Sequence, residues 1–435
     1  MKKAHILTLG LLGLLLVLAV TGCSRAEMNA QIAESIGTLG MYENNEPVET
    51  PKMKAQREMQ EAQQAAEDNV SEHVNKAARL AASYDYSGAL DELALVNEEY
   101  QDDERVISAK IEYQRLQGLL VNYRGSIPHL SFKSLVVDPE LAYDNDDYGY
   151  YFNYWNLTTT EFERILESLY EKNYILIDVN EITVEVQNED GTTSFALNKP
   201  TLPEGKKPLI LSFVEANYYS YYDNNGFSTK MVLDENGKVK NEYTDENGTT
   251  QVGDYDLVPI LDSFIEKHPD FSLRGAKGIV TLTGYAGAFG YGVETGAGTI
   301  KSIAEALKAD GWLIACQGYN NSSFASELDY DQMVEDVETW ENKIGSLVGS
   351  TNLMFYPYGE DLTPEYPKHS WLLEKGYQYF FSIWSTAEWI EVTPNYVRQS
   401  RRAIDGYDLY LYKEDMEDFF DADKILEKSV RLPFE

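Results

Sequence analysis

From about residue 125 the chain alternates short apolar runs with amphipathic stretches, and this alternation constrains its fold more than any other feature. Residues 174–179, 209–213, 278–282, 312–315 and 353–356 read as buried strands, and 257–267, 299–309 and 330–347 read as helices between them. Strands that are apolar on both faces and joined by helices are parallel, with the helices packed over them as a jacket. Thr160 and Glu163 have capping-box spacing ahead of a helix carrying Phe162, Ile165, Leu166 and Leu169 on one side. Between 217 and 255, two copies of Asp-Glu-Asn-Gly signal tight turns, so a β-hairpin insertion is expected after the strand at 209–213, lying over the groove at that strand's carboxyl end.

The segments before the barrel differ in kind. Lys2 and Lys3 precede an apolar run from Ile6 to Val20, followed by Thr21, Gly22 and Cys23. The run is shorter than the roughly 20 residues that span a bilayer. It resembles a bacterial lipoprotein signal, which implies residues 1–23 as signal with lipidated Cys23, membrane anchoring through lipid and an extracytoplasmic location at the bacterial cell surface. Residues 24–50 read as a tether. Residues 51–122 turn to Ala, Glu, Gln, Lys and Leu at helical spacing, and 77–100 resembles one tetratricopeptide-type hairpin, so an α-helical arm precedes the domain at 125–415. A C-terminal tail is expected over 416–435. The 72 acidic residues against 36 basic ones give a net charge of -36, which excludes nucleic acid as a partner. Cys316 reads as a packed core thiol.

Three short motifs suggest a family. Leu209 to Ala216 is an apolar strand running into Val214 and Glu215; Trp312 to Asn321 is a strand ending in Gln317-Gly318-Tyr319-Asn320-Asn321; Phe355-Tyr356-Pro357-Tyr358-Gly359 ends a third. Their order and spacing resemble the polysaccharide deacetylases, the NodB homology family, over about residues 125–415. The resemblance implies a distorted (β/α) barrel. It also implies a metal-dependent site with a catalytic base where Val214 stands, a carboxylate ligand where Glu215 stands, and histidine ligands where Gln317 and Asn321 stand.

Those positions do not suit the family's chemistry. Amide hydrolysis needs an activated water and a stabilised oxyanion. Valine supplies no base, and neutral amides bind zinc-type ions far less well than imidazole. Glu215, Gln317 and Asn321 remain as weak metal candidates, since calcium accepts carboxylate and amide oxygens but takes six to eight of them. None of His5, His73, His129, His268 and His369 has ligand spacing to another on one element.

The expectation is therefore a catalytically inactive relative without a cofactor, binding cell-wall or extracellular polysaccharide, or an envelope protein, through the former groove. Its expected lining is Glu215, Asn217, Tyr218, Gln317, Tyr319, Asn321, Tyr356 and Tyr358. The aromatic stretch at 143–155 and the tyrosines at 218–222 carry the rings that saccharide recognition uses. Two alternatives stand beside it: an active carbohydrate deacetylase with an altered divalent-metal site, and an envelope scaffold acting through the helical arm.

Overall fold

A computed structural model of the chain describes residues 42–43, 46–47, 49–144, 146–384 and 388–434. The expected signal, Cys23 and most of the tether lie outside the described residues. Contacts divide the chain into two compact units, residues 1–72 with 97–100 and residues 73–96 with 101–435. The described part of the first unit is mainly helical, within Pro51–Ala82, and carries exposed ion pairs such as Arg57 with Glu49 and Glu61. No helix among the described residues is long and apolar enough to cross a membrane.

The second unit is built on parallel strands β1 (His129–Phe132), β2 (Tyr174–Leu176), β3 (Lys207–Phe213), β4 (Ile279–Leu282), β5 (Leu313–Cys316), β6 (Leu353–Phe355), β7 (Tyr379–Ile383) and β8 (Val397–Ala403). Around the barrel β3 pairs β4, then β5, β6, β7, β8 and β1 follow, and β1 pairs β3 again, so the sheet closes. Strand β2 runs along only the first half of β3, through Tyr174↔Lys207 to Leu176↔Leu209. The barrel with a helical jacket is the α/β architecture that the alternation predicts.

Strand parity divides the core in two. Ile210, Val214, Ile279, Ala315, Phe355, Phe381 and Val397 cluster inside the barrel, while their neighbours Leu211, Phe213, Val280, Ile314, Cys316, Met354 and Phe380 pack outward under the helices. Each Val, Leu, Ile, Met or Phe among them contributes about 1.5–3 kcal/mol on burial. The hairpin of Thr183–Gln187 and Thr193–Leu197 lies at the end where the strands begin: Phe195 packs on Tyr379 at 5.8 Å and Thr183 shares a 2.7 Å hydrogen bond with its hydroxyl. At the barrel's side, Arg431 in the C-terminal segment forms a fully buried ion pair with Glu161 and donates to the carbonyls of Asn153 and Asn156.

Several local expectations change. The capping box is formed by Thr158 and Glu161, two residues before the predicted pair, because Thr158 holds the extended conformation a cap needs. The insertion is a three-stranded antiparallel sheet, Lys230–Leu233, Val239–Thr244 and Thr250–Gly253, since both Asn-Gly turns close hairpins that share the middle strand. It does not lie over the groove as expected; it packs against the helices Leu257–Lys267 and Val293–Ala309 because Met231 and Val239 belong to the outer core. Residues 73–96 and 101–122 of the helical arm cluster with the barrel. Ala77, Ala89 and Leu93 form a small core among the helices Pro51–Ala82, Tyr86–Ala94 and Glu104–Gln117, and the Ser83 carbonyl accepts from the Arg274 amide at 2.7 Å.

Candidate functional site

The carboxyl ends of β3, β4 and β5 bring the motif residues together. The Glu215 amide donates to Thr281 Oγ1 at 2.9 Å, and the Thr281 hydroxyl donates to Gln317 Oε1 at 2.6 Å. Gln317 Nε2 then donates to Glu215 Oε1 at 3.3 Å and to Asn321 Oδ1 at 3.2 Å. The result is a closed polar circuit that satisfies both ends of the Gln317 amide. Glu215, Asn321 and Tyr358 all sit at positive φ, of 61°, 53° and 58°. Such backbone costs non-glycine residues about 1–3 kcal/mol each and gathers at functional sites.

A divalent metal does not fit this arrangement. Gln317 Oε1 already accepts from Thr281 and Asn321 Oδ1 from Gln317, which leaves Glu215 as the one ionised donor of the trio. Among the described residues no group of three His, Cys, Asp or Glu side chains is placed to hold a metal. His129 lies inside the barrel against Phe381 at 5.1 Å and within 3.0 Å of Ser212 Oγ; burial lowers its pKa to about 3, so it is neutral. Burial raises the Cys316 thiol to about 12, in keeping with the core position read from sequence.

Other expected groove residues divide. Tyr358 is exposed at the mouth, whereas Tyr319 packs half-buried against the outer core with Lys343 Nζ 3.1 Å from its hydroxyl. Tyr218 is not groove lining: its ring enters the outer core against Phe213, and its hydroxyl accepts from Asn241 of the insertion at 2.7 Å. Tyr356 faces outward too, because it follows inward-facing Phe355 by one residue; it is buried on Phe380 with its hydroxyl 3.3 Å from His369 Nδ1. Asn217 is buried and ties loops together, donating to the carbonyls of Thr283 and Gly287 while accepting from the Thr283 amide.

Of the aromatic residues read from the stretches 143–155 and 218–222, three join Tyr285, which the sequence reading did not single out. Tyr285, Tyr219, Tyr221 and Tyr148 stack in one column, with successive centroids 5.4, 5.3 and 6.4 Å apart. Tyr285 and Tyr148 are exposed at the two ends. Burial, reinforced by the charge of Glu215, raises the pKa of the Tyr219 hydroxyl, which bonds Thr283 Oγ1 at 2.9 Å. The column joins the aromatic stretch at 143–155 to the tyrosines after β3.

Two cations also face the mouth that sequence reading missed. Lys133 is the next inward position after Ser131, past the end of β1; burial opposes its charge, but Glu215, Tyr151 and Asp405 outweigh it and its pKa is raised. Arg401 of β8 is buried beside Ser131 Oγ at 3.2 Å and over the Phe355 ring at 5.3 Å, and burial lowers its pKa to about 10. Its Nε has no hydrogen-bond partner among the described residues. A basic residue on an otherwise inward-facing strand was the available signal, but β8 itself was not recognised. A cleft of about 1020 Å³ lies elsewhere, on the flank between Thr159–Glu171, Leu257–Lys267 and the segment 413–425.

No family model matches the chain, and no curated protein does. Three solved structures are similar in part. A protein of Bacillus anthracis assigned as a polysaccharide deacetylase is 12% identical with a TM-score of 0.36, covering 64% of this chain and 65% of that one, less than two thirds of its length. The Streptococcus pyogenes deacetylase PplD, in complex with acetate, is 13% identical with a TM-score of 0.35, over 66% of this chain and 97% of that one. A protein of Mycobacterium smegmatis with the same assignment as the first is 16% identical with a TM-score of 0.24, over 34% and 45%.

Proposed function

We propose that this chain is a divergent, non-catalytic relative of the polysaccharide deacetylases, held at the bacterial cell surface by lipid on Cys23, and that it binds glycan through the mouth of its barrel. The observation that carries the reading is the closed circuit of Glu215, Thr281, Gln317 and Asn321. Side chains that would hold a metal and activate water are bonded to one another instead. Val214 is buried in the barrel core and offers no proton acceptor. The tyrosine column supplies apolar faces beside hydroxyls and amides, a combination suited to stacking on sugar rings and bonding their hydroxyls.

The test has two arms. Bound metal and acetate release from acetylated glycan fragments are measured for the wild-type chain beside a variant carrying Val214→Asp, Glu215→Asp, Gln317→His and Asn321→His. Metal-dependent turnover by the wild type would overturn the reading and favour an active deacetylase. Glycan affinity is measured separately for wild type, Tyr219→Ala and Tyr285→Ala, and the two variants are expected to bind more weakly. Absence of glycan binding by the wild type would favour an envelope protein partner. Palmitate labelling that disappears in Cys23→Ala checks the anchor.

A further inference from the structure

We infer that the ligand of this mouth is an acidic saccharide, whose carboxylate is held by Arg401 and Lys133. The inference rests on the glycan-binding reading and names the class of glycan.

Arg401 and Lys133 come from adjacent strands: β8 pairs β1 in parallel through Arg402↔Leu130 and Ala403↔Ser131. Arg401 therefore lies level with the beginning of β1, and Lys133 lies above it at the carboxyl end, where ligand sites of parallel barrels are built. Arg401 is 3% exposed. A guanidinium so deeply placed is ordinarily matched by a carboxylate, because an uncompensated buried charge is costly. The neighbours on β8 follow that rule: Arg398 pairs with Asp361 and Glu391, and Arg402 with Glu388. Neither Arg401 nor Lys133 forms an ion pair with any described carboxylate. Arg401 has one side-chain hydrogen bond, to Ser131 Oγ, and its Nε is unpartnered among the described residues.

The acids that face the pair do not cancel it. Glu215 approaches from β3 and acts electrostatically on both cations, but its Oε1 is taken up by Gln317 Nε2. Asp405, after β8, caps the helix Gly406–Leu411 through the Asp408 amide. Two unpaired cations beside Glu215 favour a monoanion over a neutral ligand. The planar fork of arginine matches a carboxylate. In a chain of net charge -36, an acidic polymer would be repelled by most of the surface and accepted only where cations lack a paired carboxylate. The tyrosines complete the site, since Tyr151 and Tyr358 lie close enough to Lys133 to interact with it electrostatically.

The experiment uses the full chain and a charged and a neutral probe on one backbone: a hexamer of galacturonic acid and its methyl ester. Wild type should bind the acid roughly tenfold or more tightly than the ester, the range expected for charge-assisted hydrogen bonds. Arg401→Met and Lys133→Met should each bring the affinity for the acid down toward that for the ester, and Arg401→Lys should keep part of the preference. Circular dichroism establishes that the variants fold, and Lys133→Met serves if Arg401→Met does not. Equal affinity for acid and ester overturns the carboxylate site but leaves glycan binding standing. Failure to bind either probe, or any neutral glycan, takes down both. Tighter binding of a glycerol-phosphate oligomer than of the uronate overturns the assignment to a carboxylate.

Discussion

Replacing Arg401 by methionine should make the protein more stable. The guanidinium is buried, makes one hydrogen bond to Ser131 and rests on Phe355, and burial brings its pKa from 12.5 down to about 10 although Glu215 pulls the other way. Each pH unit of such a depression is worth about 1.4 kcal/mol, so the charged side chain costs the fold roughly 3 kcal/mol. The sign follows from linkage: a folded pKa below the unfolded one means that the unfolded chain holds the proton more tightly. The cost is therefore complete below pH 10 and fades only as pH rises toward 12.5. Methionine is similarly long, keeps the contact with Phe355 and has no charge to desolvate. It gives up the bond to Ser131, about 1 kcal/mol, while Ser131 still donates to the Arg402 carbonyl at 3.3 Å. A net gain of about 1–2 kcal/mol is expected, read as a higher urea midpoint at pH 7.5 with an unchanged m value. A loss of more than about 1 kcal/mol at constant m would refute the claim that Arg401 is an uncompensated charge.

Three further outcomes follow from buried polar groups. Arg431→Met should cost about 3–5 kcal/mol, because it removes the ion-pair partner of buried Glu161 and leaves only the amides of Thr158 and Glu427 as donors; a urea midpoint close to wild type would refute that weight for the pair. Thr281→Val should cost about 1–3 kcal/mol and speed hydrogen exchange at the Glu215 amide, whose acceptor it removes; unchanged exchange would count against the polar circuit. Burial raises Asp256 to about 7, so wild-type stability should fall as pH climbs from about 4 to 7, where the folded state alone still holds the proton. Asp256→Asn keeps an oxygen for the amides of Leu135 and Leu257, and its advantage over wild type should grow by on the order of 3 kcal/mol across that window; a pH-independent difference would be evidence against the shift.

The parts of the barrel that could be read from sequence are those whose two faces are both apolar. Strands β3 to β6 present continuous hydrophobic runs because one parity fills the lumen and the other meets the helices. Strand β8, Val-Arg-Gln-Ser-Arg-Arg-Ala, hides the same parity behind polar side chains. Its outward arginines are ion-paired under the helices and loops, and its inward Gln399 donates to the Ile127 carbonyl at 3.0 Å. The motif residues Glu215, Gln317 and Asn321 were legible because strand ends fix their place. Tyr218 and Tyr356 were misplaced because proximity in sequence to a motif does not determine on which side of a strand or turn a ring falls. Tyr148, Tyr219 and Tyr221 lay in stretches read as aromatic, but their stacking with Tyr285 could not be read, since loop geometry joins residues far apart in sequence.

The electrostatics of the mouth bear on its chemistry as much as the lost ligands do. A metal-bearing mouth holds a concentrated positive charge with an open position at which water is bound and deprotonated. Here the positive charge is fixed on Lys133 and Arg401. These groups donate hydrogen bonds to an anion but offer no coordination position, and both are protonated at neutral pH, so neither accepts a proton from water. On the reading proposed above, this charge would serve to hold an anionic group. It also bears on restoring activity: a dication placed between Asp or Glu at 215 and histidines at 317 and 321 would face two nearby cations, whose repulsion is unscreened by any paired carboxylate. Metal affinity in the four-substitution variant should therefore rise when Lys133→Met and Arg401→Met are added, and unchanged affinity would show that the two cations do not act on that point.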